Sequence, residues 1–194
     1  MNIITGTARG TKLATLEGEA TRPTLQRAKE VIFSAIQFDI EGRRVLDLFA
    51  GSGQLGLEAL SRGAEHCVFV DRSPEAFGII KSNAQKTHLY KNCRIVNTDH
   101  AEYLRTAKRS GAVFDIVFLD PPYASGLLAP ALKLLYEANV LSDTAIVCAE
   151  WEKDSLFEEE PSLSSLYDVS KVYKSGRIYF YKLTPKSKET DPED

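Results

Sequence analysis

The sequence predicts an α/β protein with a mostly parallel, seven-stranded β-sheet covered by helices on both faces. Short apolar segments, typical of buried strands, alternate with amphipathic segments that have helical spacing. Strands separated by helices imply right-handed crossovers and a parallel sheet. Near the C-terminus, two segments flank Ser175-Gly176, which predicts an antiparallel hairpin at the edge of that sheet.

The chain begins with a predicted small arm followed by a helix, together residues 1–40. Segments 3–5 and 12–15 flank the turn-like residues 6–10, which indicates a hairpin or an irregular arm. Thr24 is the expected N-cap of the helix. The apolar stripe of this helix consists of Leu25, Ala28, Ile32 and Ile36.

The same alternation continues to the end of the predicted domain, residues 1–183. Gly63 is expected to end one helix, and Ser73-Pro74-Glu75 to begin the next. The predicted strands are 45–49, 67–70, 94–97, 114–119, 145–149, 167–173 and 177–183. Four further helices are predicted between these strands. The first carries Leu55, Ala59 and Leu60, and the second begins at Ser73. The third passes through Tyr103 and Leu104, and the fourth covers 127–137. The charged residues 184–194 are expected to be a disordered tail.

The composition excludes several classes of protein. The chain has 194 residues, of which 43% are hydrophobic and 26% charged, as in ordinary globular proteins. No apolar run approaches the roughly 20 residues of a membrane span, and no signal peptide is apparent. The histidines are scattered, and Cys67, Cys93 and Cys148 are widely spaced in apolar segments. We therefore expect a cytoplasmic protein with reduced cysteines, no metal site and no membrane contact.

The charge distribution is uneven although the net charge is only −3. Residues 1–29 carry five basic and two acidic side chains, and residues 171–182 carry four basic side chains and no acid. A polyanion could meet a basic face made from the two chain ends. A normally solvated surface is the alternative.

A glycine-rich loop follows the first long strand. Gly51-Ser52-Gly53-Gln54-Leu55-Gly56 matches Gly-x-Gly-x-x-Gly between a strand and a helix, and Asp71 ends the next strand, where an acid can hold ribose hydroxyls. A tight turn with a surface acid is the structural alternative. The candidate cofactor-binding residues are Asp47, Phe49, Gly51, Ser52, Gly53, Asp71, Arg72, Asp99 and His100.

Asp47 narrows the choice of cofactor. A carboxylate near the end of the first strand would repel a pyrophosphate but would suit an ammonium group, such as that of S-adenosylmethionine. Asp99 would then lie near the adenine amino group, although an Asp before a helix is also a common N-cap. A nicotinamide-dependent oxidoreductase fits the glycine string but leaves Asp47 without a role.

The strand 114–119 runs directly into Asp120-Pro121-Pro122-Tyr123. Two prolines end the strand, since neither can donate to a ladder, and they form a rigid corner at its carboxyl end. Ligands bind at that edge of open α/β sheets. A carboxylate, freed carbonyls and an aromatic ring suit a planar amine such as that of a nucleobase, whereas a simple strand-ending turn is the alternative.

These motifs resemble known enzymes. Val45-Leu46-Asp47-Leu48-Phe49-Ala50-Gly51-Ser52-Gly53 with Asp120-Pro121-Pro122-Tyr123 resembles the class I, S-adenosylmethionine-dependent amino methyltransferases. Thr7-Ala8-Arg9-Gly10 and Thr21-Arg22-Pro23-Thr24 narrow the resemblance to the RsmD family, over about residues 2–183. Leu25-Gln26-Arg27-Ala28 departs from the more polar run expected there.

The resemblance implies a Rossmann-like fold and methylation of a guanine N2 amine in 16S ribosomal RNA, with S-adenosylmethionine as donor. The partner would be ribosomal RNA within a small-subunit particle, and the protein a monomer. The implied catalytic residues are Asp120, Pro121, Pro122 and Tyr123, and the implied RNA contacts are Arg9, Arg22, Thr24 and Arg177. A DNA or RNA adenine-N6 methyltransferase would share the main motifs, and a non-catalytic RNA-binding or ribosome assembly module would share the fold.

Overall fold

The structure, a computed structural model, describes residues 1–16, 23–122 and 125–187, with side chains of 23–25 excluded. The strands are β1 (Arg44–Asp47), β2 (His66–Asp71), β3 (Cys93–Asn97), β4 (Phe114–Leu119), β5 (Leu141–Trp151), β6 (Tyr167–Ser175) and β7 (Ile178–Pro185). The helices are α1 (Pro23–Ala35), α2 (Gln54–Ser61), α3 (Pro74–Lys86), α4 (His100–Ser110), α5 (Leu128–Glu137) and α6 (Leu156–Glu159). No helix in these ranges is both long and apolar enough to cross a bilayer.

The seven strands form one sheet in the order β3-β2-β1-β4-β5-β7-β6. Strands β1 to β5 are parallel, and β7 pairs antiparallel with both β5 and β6. Val45 of β1 lies between Cys67 of β2 and Ile116 of β4. The strand order therefore reverses between β1 and β4, which is where open α/β sheets bind ligands. The predicted fold class, including the antiparallel hairpin, is confirmed.

Two apolar cores cover the two faces of the sheet. Phe69 and Phe118 point into the core formed with α1, α2 and α3, whereas Leu46 and Val117 point into the core formed with α4 and α5. This alternation follows from the period-two geometry of strands. The loops at the carboxyl ends of β1 to β5 are thus held at one edge by packing on both sides.

The N-terminal arm is irregular and packs on the body of the protein. An antiparallel bridge joins Asn2 to Lys12, and the Ile3 N–H donates to the Thr11 carbonyl at 3.0 Å. Its apolar side chains Ile3 and Leu13 are buried in the same core as α1 and α2. The arm is thus part of the fold, because its apolar residues complete that core.

Several predicted boundaries differ from the observed ones. Thr24 lies inside α1, which begins at Pro23, so its prediction as the N-cap is wrong. Strand β5 begins at Leu141, four residues before the predicted start, and α6 was not predicted. Strand β7 continues to Pro185, beyond the predicted start of the tail at 184, because Thr184 and Pro185 pair with Asp168 and Tyr167 of β6.

Candidate active site at the carboxyl edge of the sheet

The glycine loop turns the chain sharply from β1 into α2. The Ala50 N–H reaches across to the Val70 carbonyl at 3.0 Å, and the Gly53 N–H donates to the Ala50 carbonyl at 2.6 Å. Gly51 and Gly53 have φ angles of +51° and +78°, in the left-handed region that favours glycine. Gly53 is also the N-cap of α2, so the glycines make the strand-to-helix turn possible.

Asp47, the last residue of β1, supports this loop through a bond to the helix that follows it. Its side chain is buried, and its Oδ2 accepts a hydrogen bond from the Gly56 N–H at 3.0 Å. That N–H lies in the first turn of α2, where a negative charge is favourable. The contact of Asp47 with a cofactor ammonium stays a prediction. The buried Ser52 accepts a bond from Asn83 Nδ2 through its carbonyl oxygen at 2.9 Å.

Asp71 links the end of β2 to the glycine loop. Its Oδ2 accepts from the Gly51 N–H at 2.9 Å and its Oδ1 from the Ser73 N–H at 2.8 Å. A carboxylate offers about four lone-pair sites, so both oxygens have capacity for hydroxyl donors as well. Asp71 is half-buried, while the neighbouring Arg72 is exposed. The placement suits a group that carries two hydroxyls.

Asp99, His100 and Phe49 lie together beyond β3. Asp99 caps α4, since its Oδ1 accepts from the Ala101 N–H at 2.9 Å, as the capping alternative anticipated. Burial opposes ionisation of Asp99, but the Ala101 N–H and His100 lower its pKa. The rings of Phe49 and His100 are 5.0 Å apart. Half of the Asp99 side chain remains exposed, so it can still accept a bond from a ligand.

The Asp120 corner follows β4 directly. Asp120 is half-buried, Pro121 buried and Pro122 exposed, and the Pro122 carbonyl accepts the Ser125 N–H at 3.2 Å. Tyr123 lies outside the described residues. Asp120 lines a small open pocket between the middle of α1 and the start of α2. Its lining includes Lys29, Ile32, Gln54, Leu55, Glu150 and Phe180.

Three polar residues of this pocket were not predicted from the sequence. Lys29 comes from the middle of α1 and Gln54 from the first position of α2, and no local pattern marks either. Glu150 lies near the carboxyl end of β5, as Asp120 follows β4 and Asp71 ends β2. Strand-end position could therefore have identified Glu150.

The described residues fit S-adenosylmethionine. Asp71 can accept bonds from ribose hydroxyls, and the Phe49 and His100 rings can flank an adenine. The glycine loop brings backbone close to the ligand at the end of β1. Within the described ranges, no three His, Cys, Asp or Glu side chains are grouped to hold a metal ion. The absence of a metal site stays a prediction.

The two predicted RNA contacts whose side chains the structure describes, Arg9 and Arg177, are not brought to one place. Arg9 is exposed and follows Ala8, whose N–H bonds to Ser61 at the last position of α2. Arg177 is exposed in the turn between β6 and β7, beside the carboxyl end of β5. Arg9 and the pocket therefore lie at opposite ends of α2, about 12 Å of helix. Arg22 and the side chain of Thr24 lie outside the described residues.

The β6–β7 hairpin carries further basic side chains near its turn. Lys171 Nζ lies 5.1 Å from the centre of the Tyr173 ring, and Lys174 Nζ lies 5.2 Å from that of Tyr179. Most of β6 is exposed, because it is the last strand of the sheet. This edge, with Arg177, presents basic and aromatic side chains on the pocket side of the molecule.

The sheet order and the acidic strand ends are those of the Rossmann-like class of methyltransferases. The family model described as conserved hypothetical protein 95 matches residues 1–182. This chain therefore belongs to that family, the RsmD family, which its motifs resemble.

Individual relatives cover most of the chain. It is 41% identical over 154 residues to YlbH of Bacillus subtilis, covering 79% of this chain and 84% of that protein. It is 37% identical over 180 residues to ribosomal RNA small subunit methyltransferase D of Haemophilus influenzae, covering 92% and 93%. The solved structure of yhhF from Escherichia coli is similar with a TM-score of 0.82 at 30% identity, covering 97% and 99%.

Proposed function

We propose that this protein transfers a methyl group from S-adenosylmethionine to the exocyclic N2 amine of a guanine in small-subunit ribosomal RNA. The observation that carries the proposal is the Asp120 corner, a carboxylate backed by two prolines at the reversal point of the sheet. The names of the relatives support ribosomal RNA as substrate. We also propose that residues 1–183 act as one domain, as a cytoplasmic monomer.

The donor site would be built from the ends of β1, β2 and β3. Asp71 would accept the ribose hydroxyls, while Phe49 and His100 would contact the adenine with Asp99 near its amino group. When bound, S-adenosylmethionine supplies a methyl group on a cationic sulfur. Asp47 would face the ammonium group of the donor, while its buried carboxylate also holds the start of α2.

Asp120 would prepare the acceptor amine. The lone pair of a guanine N2 is delocalised into the ring, so this amine is a poor nucleophile. The Asp120 carboxylate and the Pro121 carbonyl would each accept an N–H bond and stabilise positive charge as it develops on nitrogen. The buried Pro121 and its neighbour Pro122 keep these acceptors in place. Stacking of Tyr123 on the base is part of the proposal from the sequence.

The RNA would lie along the hairpin edge of the pocket. Arg177 and Lys174 are exposed there and would contact phosphates, which position a nucleic acid without reading its sequence. The target base would leave its stack to reach Asp120, as other base-modifying enzymes require. Arg9 would contact a more distant phosphate of the same RNA, and Arg22 and Thr24 are RNA contacts that we propose from the sequence.

The test is methyl-label transfer from S-adenosylmethionine to small-subunit particles, and separately to naked RNA, from cells that lack this protein. We expect N2-methylguanosine in the digested RNA, identified by mass. N6-methyladenosine would establish the adenine alternative instead. The absence of calorimetric binding of S-adenosylmethionine, with no transfer to either substrate, would support a non-catalytic module.

A further inference from the structure

Glu150 is a buried acid in the pocket that the proposed methyl transfer does not use. It is 7% exposed, on the strand next to the one that leads into Asp120, and both residues line the same pocket. A buried acid that lines a cleft is a candidate for a functional residue. Glu150 thus adds a second carboxylate beside the amine-holding one.

Gln54 adds a buried acceptor to the same pocket. Its Oε1 is inaccessible to solvent and has no hydrogen-bond partner in the described part of the chain. Buried acceptors nearly always have a partner in native proteins, so this oxygen is expected to gain one when a ligand enters. Gln54 begins α2, where the Asp47-supported loop holds the backbone.

The acceptors match one nucleobase better than the other. The Watson–Crick edge of guanine presents three N–H bonds, two on N2 and one on N1. Adenine presents two N–H bonds on N6 and a lone pair on N1. A carboxylate facing N1 would therefore attract guanine and repel adenine. The apolar side chains of Ile32, Leu55 and Phe180 provide walls for a flat ring.

We propose that Glu150 and Gln54 are specificity residues that, with Asp120, recognise the donor-rich edge of guanine and exclude adenine. Asp120 and the Pro121 carbonyl accept the two N2–H bonds, and Glu150 and Gln54 Oε1 share the N1–H bond as two acceptors of one donor. This inference rests on the proposed methylation of guanine N2. It adds to that function the residues that choose the base.

The experiment compares two bases that both carry an amine at position 2. Small-subunit particles are reconstituted with either guanine or 2-aminopurine at the modified nucleotide; 2-aminopurine lacks the N1–H bond and presents a lone pair there. We expect the unaltered protein to methylate guanine about tenfold or more faster than 2-aminopurine. Glu150→Gln is expected to lower the ratio of the guanine rate to the 2-aminopurine rate. It slows transfer to guanine, and its amide can donate to the N1 lone pair of 2-aminopurine.

Glu152→Gln is the matched control, since it makes the same charge change on an exposed residue just past β5. It leaves the base preference unchanged. Gln54→Met removes the acceptor and slows transfer to guanine about tenfold, whereas Gln54→Glu keeps an acceptor and restores most of the rate. Circular dichroism and thermal unfolding show that each variant is folded, and calorimetric titration measures its affinity for S-adenosylmethionine.

The outcomes separate this inference from the proposed function. A narrowed base ratio in Glu150→Gln, with unchanged affinity for S-adenosylmethionine, supports the assignment. An unchanged ratio, with N2-methylguanosine still formed, overturns the role of Glu150 and leaves the proposed function intact. Loss of S-adenosylmethionine affinity in Glu150→Gln assigns the pocket to the donor and also overturns the inference. If the unaltered protein forms no N2-methylguanosine, the proposed function itself fails.

Discussion

Glu58 and Lys29 form a buried ion pair, with 2.8 Å between Glu58 Oε2 and Lys29 Nζ and side-chain exposures of 0% and 2%. The same carboxylate accepts the backbone N–H bonds of Ile4 and Thr5 at 2.8 and 3.0 Å. It also accepts a bond from Arg62 Nε at 2.9 Å. One side chain of α2 therefore joins the N-terminal arm to α1, next to the pocket that Lys29 lines.

Lys29→Met should strongly destabilise the protein, because it leaves a buried carboxylate without one of its cations. We expect a loss of about 3 kcal/mol in the free energy of unfolding, measured by denaturant titration. Lys153→Met, which removes an exposed partner of Glu159, should cause little change. Equal losses in the two variants would show that burial does not determine how much the Lys29–Glu58 ion pair contributes to the free energy of unfolding.

Gly56→Ala should be destabilising although alanine favours helices. A Cβ at Gly56 would lie 2.3 Å from Phe69 Cε1 and 2.6 Å from Cys67 Sγ, so neighbouring core atoms must move. We expect a cost of about 1–3 kcal/mol. Gly78→Ala, within α3 with nothing near its Cβ, should instead stabilise by about 0.5–1 kcal/mol. Thermal unfolding of both variants tests whether their shifts have opposite signs.

Asn83 connects the arm to the glycine loop. Its Nδ2 donates to the carbonyls of Ala14 and Ser52, each at 2.9 Å, and its Oδ1 accepts the Ala14 N–H at 2.8 Å. Asn83→Asp replaces the donor by an oxygen that repels both carbonyls. We expect a loss of about 2 kcal/mol in stability, and S-adenosylmethionine affinity about tenfold lower as the loop shifts.

The control for Asn83 is Asn92→Asp, which changes an exposed amide that bonds to the Glu65 carbonyl at 2.8 Å. It should alter stability by less than about 0.5 kcal/mol and leave binding unchanged. If Asn83→Asp loses stability but binds S-adenosylmethionine normally, the arm does not influence the donor loop.

Asp120→Ala should remove methyl transfer while leaving the donor site intact. We expect the turnover rate to fall by about 10²–10⁴, because Asp120 would no longer hold the amine as charge develops. Calorimetry should show nearly unchanged affinity for S-adenosylmethionine. Asp143→Ala, an exposed residue of β5, should retain full activity. Normal turnover of Asp120→Ala would rule out the amine-holding role.

Asp115 should make stability depend on acid pH. Two bonds from the Arg44 guanidinium at 2.9 Å and one from its backbone N–H at 3.0 Å hold the pKa of Asp115 well below its usual range. A lowered folded-state pKa stabilises above the unfolded value of about 3.9 and loses that contribution as pH falls below it. Asp115→Asn should therefore differ from the unaltered protein by about 1–2 kcal/mol at pH 7.

Urea titrations from pH 7 to pH 2 check this prediction. The difference in unfolding free energy between the two proteins should shrink below about pH 4. A difference that is constant across the range would mean that the Asp115 charge does not contribute through its bonds to Arg44.

Sequence patterns predicted most of the fold because they report local geometry. Strand β4 has the predicted bounds, and Ser73 caps α3 by accepting the Ala76 N–H at 3.4 Å. Boundaries set by distant partners were less predictable. Strand β5 begins early because Leu141 pairs with Phe114, and β7 runs on through the pairing of Tyr167 with Pro185.

The candidate site, too, was predicted only where a local motif marks it. Consecutive motifs placed the glycine loop, Asp71 and Asp120 at strand ends, since the parallel sheet brings those ends to one edge. Whether a side chain faces a ligand or the protein interior is not contained in its spacing. For Asp47, only the structure shows that its carboxylate also supports the helix after the glycine loop, through the Gly56 N–H.

The sequence alone was thus sufficient for the fold class, the methyltransferase motifs and the family, since periodicity and short strings carry that information. Folding was needed to bring Glu150 and Gln54 beside Asp120, and to separate Arg9 from Arg177. Those relationships join residues far apart in the chain, and they depend on how helices pack against a twisted sheet rather than on any local pattern.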